Sequence, residues 1–265
     1  MRRTYWSETY WSQKVGDVSQ FESMNAAAYG PKWALVWDEH FGATPHTDQA
    51  VDLLAELAGG RPVLEYGVGT GRFALPLQDR QLMVHGVDNS PWMVEQLRKK
   101  PGGDTVPVTM GDFATVTVEG RFGLIVLADS TLFALASREH QITCFHNVKE
   151  HLDTGGLLVI EAIALHNLLA EDGRCWTASV NADSVVLITQ RVNALTQEIY
   201  ECIVILRDGE LPRVYPLALR YSSPDELDMM AGIAGMRLRD RWGGWDRRPF
   251  TPLDRGHVSV YEPIT

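Results

Sequence analysis

Residues 63–77 read VLEYGVGTGRFALPL, and this stretch decides the fold. Val63 and Leu64 open a short apolar run that continues to Tyr66. Three alternating glycines follow, Gly67, Gly69 and Gly71, and then a helix-like pattern in which Phe73, Leu75 and Leu77 mix with Ala74. A buried strand, a tight glycine turn and a helix start compose a nucleotide-binding βα unit. Glycine lets the backbone turn sharply and lets a ligand approach the main chain. The free N–H groups at the helix start face the same ligand.

The spacing narrows the ligand. A dinucleotide fold favours G-x-G-x-x-G, whereas this loop reads G-x-G-x-G. Glu65 stands two residues before the first glycine. A carboxylate there suits a ligand with a cationic ammonium and repels a pyrophosphate. The next apolar run, residues 83–87, ends in Asp88. That is the usual place for an acid that accepts hydrogen bonds from both ribose hydroxyls. A third acid, Asp112, follows another short stretch.

Four motifs in this order, E-x-G-x-G-x-G, VDNSPWMVEQL, MGDF and LIVLADST, cover roughly residues 61–161. The set resembles the class I S-adenosylmethionine-dependent methyltransferases. The resemblance implies an α/β fold, a Rossmann-like seven-stranded sheet with helices on both faces and one antiparallel strand. It implies S-adenosylmethionine as cofactor and S-adenosylhomocysteine as product. Glu65, Gly67, Gly69 and Gly71 then hold the methionine part, Asp88 the ribose, and Asp112 with Phe113 flank the adenine. Arg72, Asn89, Met93, Ala128, Asp129 and Ser130 complete the expected cofactor contacts. Enzymes of this kind often bring an aromatic from N-terminal helices beside the methyl donor, and Tyr29 and Trp33 are the candidates. Trp37 is equally readable as core.

Composition excludes several other classes. The chain has 265 residues, 45% hydrophobic and 22% charged, with a formal net charge of −10. That balance is ordinary for a globular protein and repels nucleic acid. Cys144, Cys175 and Cys202 lie far apart, without metal or redox spacing. No cluster suggests a metal ligand set. No apolar region follows Arg2 and Arg3, and no run is long enough to span a membrane. We expect a cytoplasmic enzyme, monomer or homodimer, with no membrane or nucleic-acid partner.

Ahead of the glycine loop, residues 1–19 are aromatic and polar, residues 20–29 and 31–41 read as short helices, and residues 46–57 as a third. After it, strands are expected at 106–110, 122–127 and 157–161, alternating with helices at 90–100 and 138–152, so the sheet is parallel. The pattern then changes. Residues 184–192, 197–207 and 213–221 are β-rich and separated by turn signals. They read as an antiparallel lid inserted at 166–221. The cofactor domain comprises 61–165 and 222–265, covered by an N-terminal helical segment, 1–60. A last helix, 224–234, leads to two closing strands at 237–242 and 257–262.

In-line methyl transfer asks the protein mainly to position and desolvate. The fourth strand neighbours the first, which brings Asp129, Ser130 and Thr131 nearest the methyl. Glu161 and His166 follow the fifth strand, and Trp242, Trp245 and His257 lie at the last hairpin. The expected catalytic residues are His166 as general base, Asp129 and Tyr29. A helix-surface histidine is the competing reading of His166. The expected activity is N- or O-methylation of a small molecule in natural-product tailoring. Its alternatives are a protein or peptide methyltransferase, and a protein of this fold that binds the cofactor without transfer.

Overall fold

A computed structural model describes residues 21, 23–25, 28–164, 169 and 172–264. Two sheets organise them. The larger has seven strands: β1 (Val63–Tyr66), β2 (Val84–Asp88), β3 (Val108–Met110), β4 (Phe122–Leu127), β5 (Leu152–Ile163), β10 (Met236–Trp242) and β11 (Gly256–Pro263). Their spatial order is β10-β11-β5-β4-β1-β2-β3. β11 runs antiparallel to both of its neighbours, and the other pairings are parallel. This is the seven-stranded sheet expected. β3 begins two residues later than its apolar run, because Pro107 has no N–H for the ladder. β5 is longer than expected and starts in the helix–glycine junction at Leu152.

Side-chain alternation builds a core on each face. On one face Leu64, Tyr66, Ile125, Leu127, Leu158 and Ile160 pack against α6 (Arg138–His151) and α7 (Pro224–Ile233). On the other, Val63, Leu124, Val126, Val159 and Val258 meet α3 (Pro45–Ala58), α4 (Ala74–Asp79) and α5 (Pro91–Arg98). All six residues of β4 are buried, as a central parallel strand requires. Helix starts follow local chemistry. Ser90 accepts from Met93 N at 3.1 Å with Pro91 in the first turn, and Ser223 accepts from Glu226 N at 3.2 Å.

The second sheet is an antiparallel meander, β6 (Cys175–Val180), β7 (Ser184–Asn193), β8 (Glu198–Arg207) and β9 (Arg213–Arg220). It has one strand more than the sequence pattern suggests. Val186, Ile203, Ile205 and Tyr215 of this sheet bury against Trp33 and Ala34 of the N-terminal helix α1 (Pro31–Ala34) and against Val36, which leads into α2 (Trp37–Phe41). Asn25 ties β9 to the 3-10 turn that follows β4: its amide donates to Ala134 O at 3.3 Å and accepts from Ala218 N at 3.0 Å. At the root of β9, buried Arg220 donates to buried Glu226 at 2.7 Å, joining the meander to α7.

Candidate active site

The glycine turn is shaped by what surrounds it. Gly67, Gly69 and Gly71 have φ of 73°, 52° and 85°. Gly67 and Val68 both donate to Val87 O, at 2.8 and 3.0 Å, which folds the turn over the end of β2. A Cβ on Gly67 would stand 2.7 Å from the Thr131 methyl. Asp88 fixes the other side: Oδ2 accepts from Gly69 N at 2.7 Å and Oδ1 from Ser90 N at 2.8 Å. One buried carboxylate therefore joins the turn to the start of α5. Burial raises its pKa, and the Ser90 and Gly69 N–H groups oppose that shift.

A cavity of about 540 Å³ lies over these strand ends. Tyr29, Glu65, Gly67, Gly69, Arg72, Asp88, Asn89, Met93, Asp112, Phe113, Ala128 and Asp129 line it. Glu65 is 4% exposed and its Oε2 has no hydrogen-bond partner. Burial pushes its pKa up to about 8; Arg72 opposes this and Asp88 adds to it. Arg72 bridges Asp129 at 3.2 Å and donates to Phe41 O at 3.2 Å. Asp112 accepts from Ala114 N at 2.9 Å and meets His140 Nε2 at 2.8 Å. The Phe113 ring stacks on Tyr66, and Asn147 holds its carbonyl at 2.9 Å.

Three expected contacts lie elsewhere. Trp33 is buried and stacks on Tyr215, with centroids 4.0 Å apart, so it faces the meander. Trp37 lines the cavity instead. Gly71 does not line it; its bare α-carbon makes room for Leu97 and Leu75. Ser130 turns away as well: its N–H reaches Glu161 O at 3.0 Å and its Oγ accepts from Ile163 N at 3.1 Å. Asp129 and Ser130 both adopt positive φ, 54° and 59°, a strained pair at the end of β4. His166 and residues 1–19 lie outside the described residues. The Tyr29 phenol has a raised pKa from burial and from the charges of Asp129 and Asp88. A phenol held in its protonated form can donate a hydrogen bond.

The geometry has solved counterparts. The CcbJ methyltransferase from Streptomyces caelestis superposes with a TM-score of 0.85 at 36% identity, over 90% of this chain and 98% of that one. This chain belongs to the S-adenosylmethionine-dependent methyltransferases. In this methyltransferase, residues 63–156 match a family model described as a methyltransferase domain. The cypemycin N-terminal methyltransferase of a Streptomyces species is 26% identical over 205 residues, 77% of this chain and 83% of that one. CalS10, an amino pentose methyltransferase from Micromonospora echinaspora, shares the fold at a TM-score of 0.67 and 19% identity, over 85% of this chain and 95% of its own.

The residues fit the cofactor this family uses. Glu65 offers an unpartnered carboxylate oxygen suited to an ammonium. Asp88 uses one acceptor position on each oxygen and keeps others for hydroxyls. Among the described residues no group of His, Cys, Asp and Glu could hold a metal ion, and no helix is long and apolar enough to cross a membrane.

Proposed function

We propose that this methyltransferase acts on the nitrogen of a small natural-product acceptor. The observation that carries the reading is the acidic end of the site. Asp129 lines the cavity beside Arg72, and its own N–H donates to Glu161 Oε2 at 2.9 Å. Burial raises the Glu161 pKa, Asp129 N–H opposes that and the Asp129 charge adds to it. Two carboxyl groups at this edge attract an amine in its ammonium form. A carboxyl with a raised pKa is the better proton acceptor near neutrality. The neutral amine then attacks without further help. His166 remains the proposed base for a hydroxyl acceptor.

S-adenosylmethionine supplies an electrophilic methyl on a sulfonium. Glu65 would hold its ammonium, Asp88 its ribose hydroxyls, and Asp112 with Phe113 its adenine. Asn89, Met93 and Ala128 complete the wall. Tyr29 and Trp37 exclude water from above, backed by residues 166–221 acting as a lid on the N-terminal segment. The packing of Trp33 on Tyr215 supports that arrangement. A peptide N-terminus is the second reading, favoured by the name of the cypemycin relative. The test is transfer of labelled methyl into fractions of a producing-cell extract. A low-mass, cation-exchange-retained product is expected. Label in a neutral ether would exclude nitrogen, and label in intact protein would exclude a small acceptor.

The Glu65 reading predicts a pH dependence. Its carboxyl is protonated in the folded protein up to about pH 8, against 4.5 ordinarily. Between those values the folded state holds the extra proton, so this group's stabilisation is lost as pH rises. A cationic ligand needs the carboxylate. Its affinity should therefore rise with pH by up to about tenfold per unit below pH 8. Calorimetry at pH 7 in buffers of different ionisation heat should show nearly one proton released on binding S-adenosylmethionine. Glu65→Gln should release none; equal release from both proteins would reject the assignment.

A further inference from the structure

A second cavity, of about 430 Å³, adjoins the first. Asp129 is the one described residue that lines both. Methyl transfer needs donor and acceptor to meet, and the two spaces meet at that residue. Glu161, Trp245 and His257 also border the second cavity, and the Trp245 indole N–H donates to Glu161 Oε1 at 2.8 Å.

His257 is the unusual member. It sits at the start of β11 and is 2% exposed, yet its Nε2 has no hydrogen-bond partner. A buried polar nitrogen left alone in a folded protein calls for an explanation. Its other ring nitrogen lies 2.9 Å from Ser259 Oγ. That oxygen accepts from Arg241 Nε at 2.9 Å, and Arg241 is anchored by Asp228 at 2.6 Å and Tyr261 Oη at 3.1 Å. Arg241 can only donate, so the serine keeps its own hydrogen to give to Nδ1. With that bond made, the ring proton resides on Nε2. Burial, reinforced by Arg241 and opposed by Asp228, lowers the imidazole pKa to about 4. The ring is neutral in ordinary buffers and keeps one N–H.

We propose that the second cavity receives the methyl acceptor and that His257 Nε2–H anchors it through an oxygen. The acceptor class is an amine carrying a carbonyl or hydroxyl oxygen: nitrogen toward Asp129 and Glu161, oxygen toward His257. Phe250 packs edge-on against the imidazole at 5.5 Å. The inference rests on the amine-methylating reading and adds the selectivity for oxygen-bearing amines.

The test is nitrogen NMR of the full chain carrying ¹⁵N-histidine, with the His257 signals assigned by their loss in His257→Phe. The wild type should show Nε2 protonated and Nδ1 bare. Ser259→Ala removes the hydroxyl that fixes this tautomer, so its Nδ1–H form should grow; a purely structural serine would leave the tautomer unmoved. N-methylacetamide, an amide oxygen with no methylatable amine, should shift the His257 Nε2 signal to saturation. Exposed His46, at the rim of the cavity, is the internal control. A wild-type Nδ1–H tautomer, or a His257 signal that stays still or follows His46, overturns the proposal. Labelled-methyl transfer by the same protein separates the two levels. Label in an amine with a silent His257 removes this inference alone, whereas label in a neutral ether removes the amine-methylating reading beneath it.

Discussion

Asp88→Asn is expected to weaken S-adenosylmethionine binding about a hundredfold. Hydrogen bonds to a charged acceptor contribute about 1.5–3 kcal/mol each. Two ribose hydroxyls on one carboxylate then account for at least ~3 kcal/mol, and each ~1.4 kcal/mol is tenfold. The amide keeps the shape but has one oxygen for two N–H groups, Gly69 and Ser90. Its NH₂ would face one of those donors, so the turn loosens as well. Titration calorimetry gives the affinity, and circular dichroism checks the fold. A folded variant that binds within threefold of wild type would remove Asp88 from the ribose.

Gly71→Val should produce the largest loss of stability. Its φ of 85° is left-handed, and an added Cβ would come within 2.4 Å of Leu97 Cδ1 and 3.1 Å of Leu75 Cγ. Backbone strain and overpacking cost about 1–3 kcal/mol each. Leu97 is fully buried in the core beneath α5, so it has little room to yield. At roughly 2–4 °C per kcal/mol for a domain near this size, the melting temperature should fall on the order of 10 °C. A scan showing an unchanged midpoint would refute the packing role. The same glycine does not line the cofactor cavity, so residual folded protein should bind cofactor nearly normally.

The parts of the site that could be read in the sequence are those carried by short local patterns. The glycine turn, Asp88 after β2 and the Ser90-Pro91 helix start each sit within a few residues of their cause. Trp33 and Trp37 are not legible in this way. Both fit one helix over 31–41, but the helix breaks at Leu35 and Val36, which sends Trp33 to Tyr215 and Trp37 to the cavity. β6 leaves no signal in the sequence because it is an almost wholly exposed edge strand with no apolar alternation. Ser130 reads as a cofactor contact by position alone; nothing in A-D-S-T announces two consecutive left-handed residues. The second cavity depends on the register of β11 against β5, His257 opposite Ala162, which no local spacing encodes.

The single reversed strand has a consequence for how this enzyme can change. In a parallel sheet, only residues that follow a strand reach the reactive edge, and every return needs a crossover. β11 enters the sheet at that edge, because Gly256 pairs with Ile163 at the end of β5. β10 leaves the sheet at the same edge, where Trp242 pairs with Val258. Residues 243–255 are therefore a hairpin connection hung directly over the second cavity, carrying Trp245, Phe250 and Arg255. Loop closure grows only logarithmically with length, about 0.6 kcal/mol for each doubling. Insertions there can reshape the chamber while leaving every strand pairing, and the cofactor half of the sheet, in register.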